Sequence, residues 1–368
     1  MTPHGLSIQS KGTFTSLSWS PGRSADTSSE LAAAWQELAT TLAEEGYEVL
    51  LERIYVAPDS FEDVLALRQS ALSARGLEHL SEPTILVNRP CLPVPCAAFQ
   101  YLAWKPTEGG QVRSIPTSEG GPARLLESGG DRALFLGGDP REDLSGLAPM
   151  FERTVAQLRA QGFSFRDVAR TWLYVEDLLG TYDELNSVRN RVFSSEGLGE
   201  PGHFEQPPAS TGIQGFHPEG RPCFMETLAV QSKAGGRPFK PIEPELQCEA
   251  WVYGSTFSRG MRVPMAGGEL TTLSGTASID ASGATAHDGD SRAQILRTMS
   301  NIDNLLAACD KPPRPAGLWT IYFKTLETWE AWQELVNEGA VAPVTGAYVF
   351  ADICRDDLLF EAEVTLVI

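Results

Sequence analysis

Hydrophobic and polar positions along the chain repeat one succession of elements three times. In the middle of the chain, apolar residues at helical spacing run from Phe151 to Gly162, where glycine ends the pattern, and a strand pattern follows. The order is helix, strand, helix, strand. It occurs at 32–42, 51–56, 61–68 and 97–104, at 151–162, 168–177, 182–193 and 223–230, and at 295–306, 318–324, 329–335 and from 360 onwards.

Three tyrosines, Tyr55, Tyr174 and Tyr322, mark equivalent points of the three repeats. They are too far apart for a solenoid, whose units measure about 20 to 50 residues. Each repeat is therefore predicted to be a small α+β domain, and three tandem copies predict a pseudo-trimer within one chain. Stretches rich in Gly, Ser or Pro at 105–110, 118–131 and 232–241 act as linkers. They divide the chain into units at 1–117, 118–235 and 236–368, of which the first is the most degenerate.

Charge and composition exclude several classes of partner. The formal net charge is -19, which argues against nucleic acid or an anionic membrane, since both require a basic surface. No apolar run approaches the ~20 residues of a membrane span. The first residues lack the features of a signal peptide, so a cytoplasmic protein is expected. An anionic small molecule would have to be held by a few local arginines.

The last strand pattern carries two acidic residues. Glu361 and Glu363 alternate with Phe360 and Ala362, so both carboxylates share one face of the strand. That face is either a site or an ordinary solvated surface. Cys354 stands seven residues before Glu361. Its alternative interpretation is a small buried hydrophobic residue.

The spacing of cysteines and histidines does not indicate a metal or cofactor site. The six cysteines are far apart, without a CxxC pair, and are expected to be free thiols. The five histidines show no HExxH or similar spacing. No cofactor and no metal are predicted.

Several segments carry a resemblance to a known fold. They are Arg170-Thr-Trp-Leu-Tyr-Val-Glu-Asp177, Asn186, Pro208-Ala-Ser-Thr211 and Leu273-Ser-Gly-Thr-Ala-Ser278. Together they resemble the Rid (YjgF-like, chorismate-mutase-like) fold, which assembles as trimers with ligand sites between neighbouring units. Three such units in one chain, with Cys354 and Glu361 in the last, resemble the chorismatases.

The resemblance implies an enzyme of secondary metabolism, a lyase or hydrolase that splits chorismate into pyruvate and a ring product. A cysteine seven residues before the catalytic glutamate implies the branch that forms 3-hydroxybenzoate. Cleavage of the enolpyruvyl ether needs a proton on its methylene carbon, so Glu361 would have to be neutral at the start and therefore have a raised pKa. Family position selects Glu361 over Glu363. Cys354 would shape or protonate the ring side of the pocket.

Other residues are candidates for holding the dicarboxylate substrate. Arg170 lies in an apolar strand and needs a partner, which is either a substrate carboxylate or an ion pair with Asp167 or Glu176. Arg259 is either a ligand for an anion or a surface arginine. The remaining candidates are Tyr253 and Phe257 as ring platforms or core residues, Gln214 as a hydrogen-bond donor, and Gly275 as a close approach to a ligand or a bulge.

Two alternatives remain open. One is a hydrolytic chorismatase that gives a dihydroxycyclohexadiene carboxylate, and the other is a non-catalytic ligand-binding assembly. Imine hydrolysis, the reaction of single-domain Rid deaminases, is disfavoured because Ser210 and Gly346 stand where those proteins have an arginine. Glu226 is taken as the counterpart of Glu361 in the second unit, and Arg355 is taken as structural. A single site per chain and a monomer with internal pseudo-threefold symmetry are expected.

Overall fold

A computed structural model describes residues 4–22, 27–80, 83–115, 123–137, 146–199 and 204–368. The first unit contains β1 (Gly5–Lys11), β2 (Phe14–Ser20), α1 (Thr27–Glu45), β3 (Glu48–Val56), α2 (Phe61–Ser73), β4 (Thr84–Val87) and β5 (Cys96–Trp104). The second contains β6 (Gln111–Ser114), β7 (Ala123–Ser128), β8 (Asp131–Leu136), α3 (Leu147–Ala160), β9 (Val168–Val175), α4 (Leu178–Ser195), β10 (Ala209–Gln214) and β11 (Cys223–Gln231). The third contains β12 (Lys240–Pro241), β13 (Gly260–Met265), β14 (Gly268–Ala277), α5 (Ser291–Ala307), β15 (Leu318–Phe323), α6 (Leu326–Asn337), β16 (Gly346–Phe350) and β17 (Phe360–Val367).

Each unit builds one mixed sheet with the same central arrangement. The strand orders are β1-β2-β5-β3-β4, β10-β9-β11-β8-β7-β6 and β12-β13-β14-β17-β15-β16. In every sheet the last strand of the unit lies inside the sheet, antiparallel to the strand that follows the first helix. The strand after the second helix pairs with that same strand in parallel. The three predicted α+β repeats are thus confirmed.

The helices cover the outer face of each sheet because alternate strand residues present apolar side chains to them. In β17, Phe360, Ala362 and Val364 join one hydrophobic cluster with side chains of α5 and α6. Each fully buried large apolar side chain stabilises the folded state by about 1.5 to 3 kcal/mol. Two of the six helices in the described residues begin at aspartates that accept a backbone N–H, Asp177 for α4 and Asp290 for α5.

The inner faces of the three sheets meet in one central core. Tyr55, Tyr174 and Tyr322 all belong to it, one from each unit. The charged residues of this core pair across unit boundaries: Arg53 Nε lies 2.5 Å from Glu226 Oε2, and Arg170 Nη2 lies 2.5 Å from Glu363 Oε2. The predicted pseudo-trimer within one chain is therefore present, with a shared interior.

The second sheet begins earlier than the proposed unit boundary. β6 pairs with β7 as a hairpin, so a boundary between residues 117 and 118 falls inside that hairpin. Residues 116–122 lie outside the described part of the chain. The prediction of a linker over 118–131 was wrong for residues 123–128, which form β7 with Leu125 and Leu126 buried. Among the described helices, none has the length and apolarity that crossing a lipid bilayer requires.

Candidate active site between the second and third units

Glu361 lies on the inner face of β17, opposite Tyr322 of β15. Glu361 is only 4 % exposed. This excludes the alternative interpretation, in which the acidic face of the strand is an ordinary solvated surface. On its other side, the pairing of β14 with β17 shifts register between Leu273 and Thr276. A side chain at Gly275 would overlap the Glu361 carboxyl group. Gly275 therefore marks a bulge, as one of its two interpretations supposed, and it leaves room for the Glu361 carboxyl group. Its close approach to a ligand stays a prediction.

Glu363 shares the face of Glu361 but has different surroundings. Its Oε2 accepts hydrogen bonds from Arg170 Nη2 at 2.5 Å and from Thr211 Oγ1 at 2.5 Å, and its Oε1 accepts one from the Tyr322 hydroxyl at 3.2 Å. Arg170 and Thr211 come from the second unit. Glu363 is thus bound to the second unit across the boundary between the units.

The neighbouring charge acts on Glu361, which has no hydrogen bond to any other described residue. Burial raises the pKa of Glu361 to about 8, the charge of Glu363 adds to the increase, and Arg259 and Arg170 oppose it. Burial disfavours the ionised form because a carboxylate loses its hydration, and a nearby like charge acts in the same direction. Glu361 is therefore a neutral carboxylic acid at pH 7.

Cys354 lies in the turn between β16 and β17 and is half-buried. Burial raises the pKa of its thiol to about 12, with a further contribution from Glu361, so the thiol stays protonated at neutral pH. The Tyr182 side chain of α4 lies next to this thiol. Cys354 thus stands between the buried acid and the second unit.

Arg259 approaches the same region from the loop that precedes β13. Its Nε donates to the Cys248 carbonyl at 2.9 Å, while its buried Nη2 has no hydrogen-bond partner among the residues that the structure describes. The guanidinium lies 5.4 Å from the ring centre of Tyr253 and 5.3 Å from that of Phe257. An unpaired buried guanidinium nitrogen is costly, so this arrangement favours an anion as its partner.

A pocket of about 510 Å³ opens between the second and third units, and we call it the 2–3 pocket. Its lining residues are Leu179, Tyr182, Asp183, Asn186, Tyr253, Ser255, Cys354, Arg355 and Asp356. Of the residues singled out in the sequence as candidates, Cys354 and Tyr253 belong to this lining. Glu361 and Arg259 lie behind it, close enough to alter the pKa of the Cys354 thiol.

Three other candidates also lie outside the lining. Arg170 is fully buried and paired with Glu363, not with Asp167 or Glu176 as the alternative interpretation supposed. Gln214 uses its amide within the protein: Nε2 donates to the Glu176 carbonyl, and Oε1 accepts from the backbone N–H of Asp352 at 3.0 Å. Phe257 is buried, and the guanidinium groups of Arg189 and Arg259 each lie 5.3 Å from its ring centre.

Sequence reasoning missed several residues of the pocket. Arg355, taken as structural, lines it and stacks 4.7 Å from the ring centre of Tyr253. Residues 354–357 form a turn, which carries the Arg355 side chain to the pocket. Tyr182 and Asn186 are four residues apart on α4, a spacing that placed them on one helix face. Ser255 left no signal in the sequence.

The fold was compared with known proteins. No protein-family model and no curated protein sequence matches the chain. A solved chorismatase structure superimposes with a TM-score of 0.58 at 17 % identity, covering 97 % of this chain and 100 % of that one. The chain has the chorismatase fold.

Smaller proteins match a single stretch of this chorismatase fold. E. coli TdcF with bound serine covers 35 % of the chain at 18 % identity, with 98 % of its own chain aligned and a TM-score of 0.28. The E. coli YjgF gene product covers 35 % at 18 % identity, with 98 % of its own chain aligned and a TM-score of 0.27.

The register of the second sheet corrects one sequence assignment. Glu226 faces Trp172 in β9, whereas Phe224 faces Tyr174. In the third sheet it is Glu361 that faces the equivalent tyrosine. Glu226 is therefore the counterpart of Glu363, and Phe224 occupies the position that corresponds to Glu361.

Within the described residues, no group of three His, Cys, Asp or Glu side chains is arranged to bind a metal ion.

Proposed function

We propose that the protein cleaves chorismate to pyruvate and 3-hydroxybenzoate, with Glu361 as the general acid. The observation that carries the proposal is a buried carboxyl group, behind a pocket between two units, whose pKa of about 8 leaves it protonated at pH 7. General acid catalysis is most effective when the pKa of the acid lies near the working pH. The chorismatase fold, shared at 17 % identity, gives independent support for the substrate class.

The reaction begins with transfer of the Glu361 proton to the methylene carbon of the enolpyruvyl group. The methylene becomes a methyl group, and an oxocarbenium cation forms next to the bridging oxygen. The new Glu361 carboxylate stabilises this cation in a site from which water is largely excluded. The bond between the ring and the bridging oxygen then breaks, and its electron pair completes the ketone of pyruvate.

In this proposal the C4 hydroxyl oxygen forms the new bond at the ring carbon that the pyruvyl oxygen leaves. Its proton returns to the Glu361 carboxylate, which restores the acid. Cleavage of the bond between that oxygen and C4, with loss of the C3 hydrogen as a proton, gives the aromatic ring, and the oxygen stays on C3 and takes up a proton as the phenol hydroxyl. No water is consumed, because the atoms of chorismate divide completely between 3-hydroxybenzoate and pyruvate.

Two positively charged groups are suited to the carboxylates of this substrate. Arg355 lies in the lining of the 2–3 pocket, and Arg259 offers the unpaired Nη2 behind Tyr253. Arg170 is assigned a positioning role, because it holds the carboxylate of Glu363 beside Glu361. Cys354 is assigned to the ring side of the pocket, where a protonated thiol displaces water and favours the internal nucleophile.

Incubation of the purified chain with chorismate tests the proposal. Pyruvate is measured with lactate dehydrogenase, and the ring product is separated by chromatography and identified by its ultraviolet spectrum. Equal amounts of pyruvate and an aromatic product with the retention time of 3-hydroxybenzoate are expected. Pyruvate with a non-aromatic diene would indicate the hydrolytic reaction. Absence of pyruvate, with binding of small acids, would indicate a non-catalytic protein.

A further inference from the structure

A chain of hydrogen bonds runs from α4 to the wall of the 2–3 pocket. Arg189 Nη2 donates to Asn186 Oδ1 at 2.5 Å, and Ser255 Oγ donates to the same oxygen at 3.0 Å. The Tyr182 hydroxyl oxygen lies 3.1 Å from Ser255 Oγ. Tyr182, Asn186 and Arg189 follow one another along a single face of the helix. Ser255 contributes from the third unit, so the chain of hydrogen bonds joins the two units that form the pocket.

The direction of each hydrogen bond in this chain follows from its end at Arg189. A guanidinium group can only donate, so the Asn186 atom that faces it must be the amide oxygen. A serine hydroxyl has a single hydrogen, and Ser255 donates it to the Asn186 amide oxygen. Ser255 Oγ can therefore only accept from Tyr182. The one hydroxyl hydrogen of Tyr182 is thus directed to Ser255 and away from the interior of the pocket.

The oxygen of Tyr182 consequently presents its lone pairs to the pocket. Burial raises the pKa of Tyr182 above its ordinary value, and the nearby Cys354 adds to the increase, so the phenol remains neutral at pH 7. The adjacent Cys354 thiol is protonated and is only a weak donor. A stronger donor on a bound ligand would satisfy the Tyr182 oxygen better.

We propose that Tyr182 is a specificity-determining residue that accepts a hydrogen bond from a hydroxyl group on the ring of the bound ligand. The inference rests on the proposed function, in which that group is the C4 hydroxyl of chorismate. In the bound substrate Tyr182 holds the hydrogen of this hydroxyl and so turns an oxygen lone pair toward the ring. The hydrogen passes to the Glu361 carboxylate once the new bond has formed. A site built to receive a donor discriminates against a ligand that offers only an acceptor, because two acceptors are then brought together.

The test measures binding of four benzoates by isothermal titration calorimetry. 3-Hydroxybenzoate and 3-aminobenzoate offer a donor, 3-fluorobenzoate offers none, and benzoate sets the baseline. In the wild-type protein we expect 3-hydroxybenzoate to bind about tenfold more tightly than 3-fluorobenzoate, the value of one good hydrogen bond. In Tyr182→Phe this ratio should fall below about twofold, with the affinity for benzoate little changed.

A second variant examines the direction of the hydrogen bond. Ser255→Ala removes the group that fixes the Tyr182 hydrogen, so the hydroxyl can turn toward the pocket. We expect Ser255→Ala to bind 3-fluorobenzoate more tightly than wild type does, while 3-hydroxybenzoate binding persists. Tyr47→Phe, a change to a tyrosine of the first unit, serves as the control and should leave all four affinities unchanged.

Four results would overturn the inference. Two concern the variants: a hydroxyl preference that survives in Tyr182→Phe, and a Ser255→Ala protein that rejects 3-fluorobenzoate as strongly as wild type. Two concern the wild-type protein: binding of none of the four acids, and binding without a preference for the hydroxyl. Pyruvate release from chorismate is measured separately. A wild-type protein that releases pyruvate but lacks the hydroxyl preference overturns the Tyr182 inference alone. One that releases no pyruvate overturns the proposed function.

Discussion

The boundary between the third and first units contains a counterpart of the 2–3 pocket. We call it the 3–1 pocket; it measures about 570 Å³. Its lining residues are Ser28, Ala57, Pro58, Ser60, Arg89, Pro90, Cys91, Leu92, Pro93, Val94, Pro95, Leu326 and Phe350. Matching backbone hydrogen bonds flank the two pockets, from Gln214 to the Asp352 carbonyl and from Phe350 to the Arg89 carbonyl. The two pockets are similar in size and in the backbone hydrogen bonds beside them, so neither property identifies the proposed active site.

The difference lies in a single register position. Glu361 faces Tyr322 in the third sheet, whereas Ala98 faces Tyr55 in the first. A cysteine stands seven residues before each of them, Cys354 and Cys91. Burial raises the pKa of both thiols. The cysteine is therefore common to both pockets, and the buried acid distinguishes the 2–3 pocket.

Glu361→Gln should give the largest loss of activity. It removes the buried acid that distinguishes the 2–3 pocket from the 3–1 pocket. Glutamine has the shape of the protonated side chain but cannot transfer a proton, so pyruvate release should fall about 10³-fold or more. The coupled pyruvate assay measures it. A variant that retains a tenth of wild-type activity would contradict the role of Glu361 and remove the distinction between the pockets.

The same variant should be more stable than wild type above pH 5. The pKa of Glu361 is about 8 in the folded protein and 4.5 as the ordinary value, so the folded state holds a proton that the unfolded state releases. Stability that depends on this proton is lost as pH rises between these two values. Glutamine avoids the loss, worth up to about 3 kcal/mol at pH 7. Urea unfolding at pH 5 and pH 8 measures the difference, which should grow with pH.

Glu363→Gln should give an intermediate effect by altering the acid without removing it. Wild-type activity should decline as pH rises through about 8, where Glu361 loses its proton. Without the charge of Glu363, the pKa of Glu361 falls, so the decline should move about one unit toward lower pH. The pH dependence of kcat/KM measures the shift.

Glu226→Gln is the matched control for that variant. Glu226 occupies the equivalent register position in the second unit and is also paired with a buried arginine, Arg53. Both variants leave a buried arginine without its carboxylate and should lose stability similarly. Only Glu363→Gln should change the pH profile. An equal shift in both variants would show a general effect of destabilisation.

Cys354→Ala should give the smallest change in rate and a clear change in product. If the thiol favours the internal nucleophile, its removal admits water and increases the share of non-aromatic product, with total pyruvate release altered less than about fivefold. Chromatography of the ring products measures the ratio. Cys91→Ala, the equivalent change in the 3–1 pocket, should leave the ratio unchanged. An unaltered ratio in Cys354→Ala would remove its steering role.

The sequence predicted the elements that carry the site because their periodicity is strong. Alternation in β17 correctly placed Glu361 and Glu363 on one face, opposite Phe360 and Ala362. The same pattern could not distinguish a solvated face from an interior shared by three units, since that depends on contacts between distant segments. The partner of Arg170 shows this most clearly: Glu363 lies 193 residues further along the chain.

Residues in loops were the least predictable part of the site. Arg355 lines the pocket because residues 354–357 turn, and Ser255 reaches Tyr182 because its loop crosses the unit boundary. Neither position follows a helical or strand period. Register was also beyond the sequence, which assigned Glu226 to the position that Phe224 occupies. The family resemblance pointed to Glu361 as the acid. The structure shows that Glu361 is buried beside Glu363, which raises its pKa.

Joining the three units in one chain has a consequence for how such a protein can change. In an assembly of identical subunits, every substitution is copied into all interfaces, so none can diverge alone. Here each interface is encoded separately, and Ala98 and Phe224 already occupy the positions that correspond to Glu361. The 3–1 pocket can therefore accumulate substitutions, by drift or by engineering for another ligand, while the chemistry proposed for Glu361 is preserved.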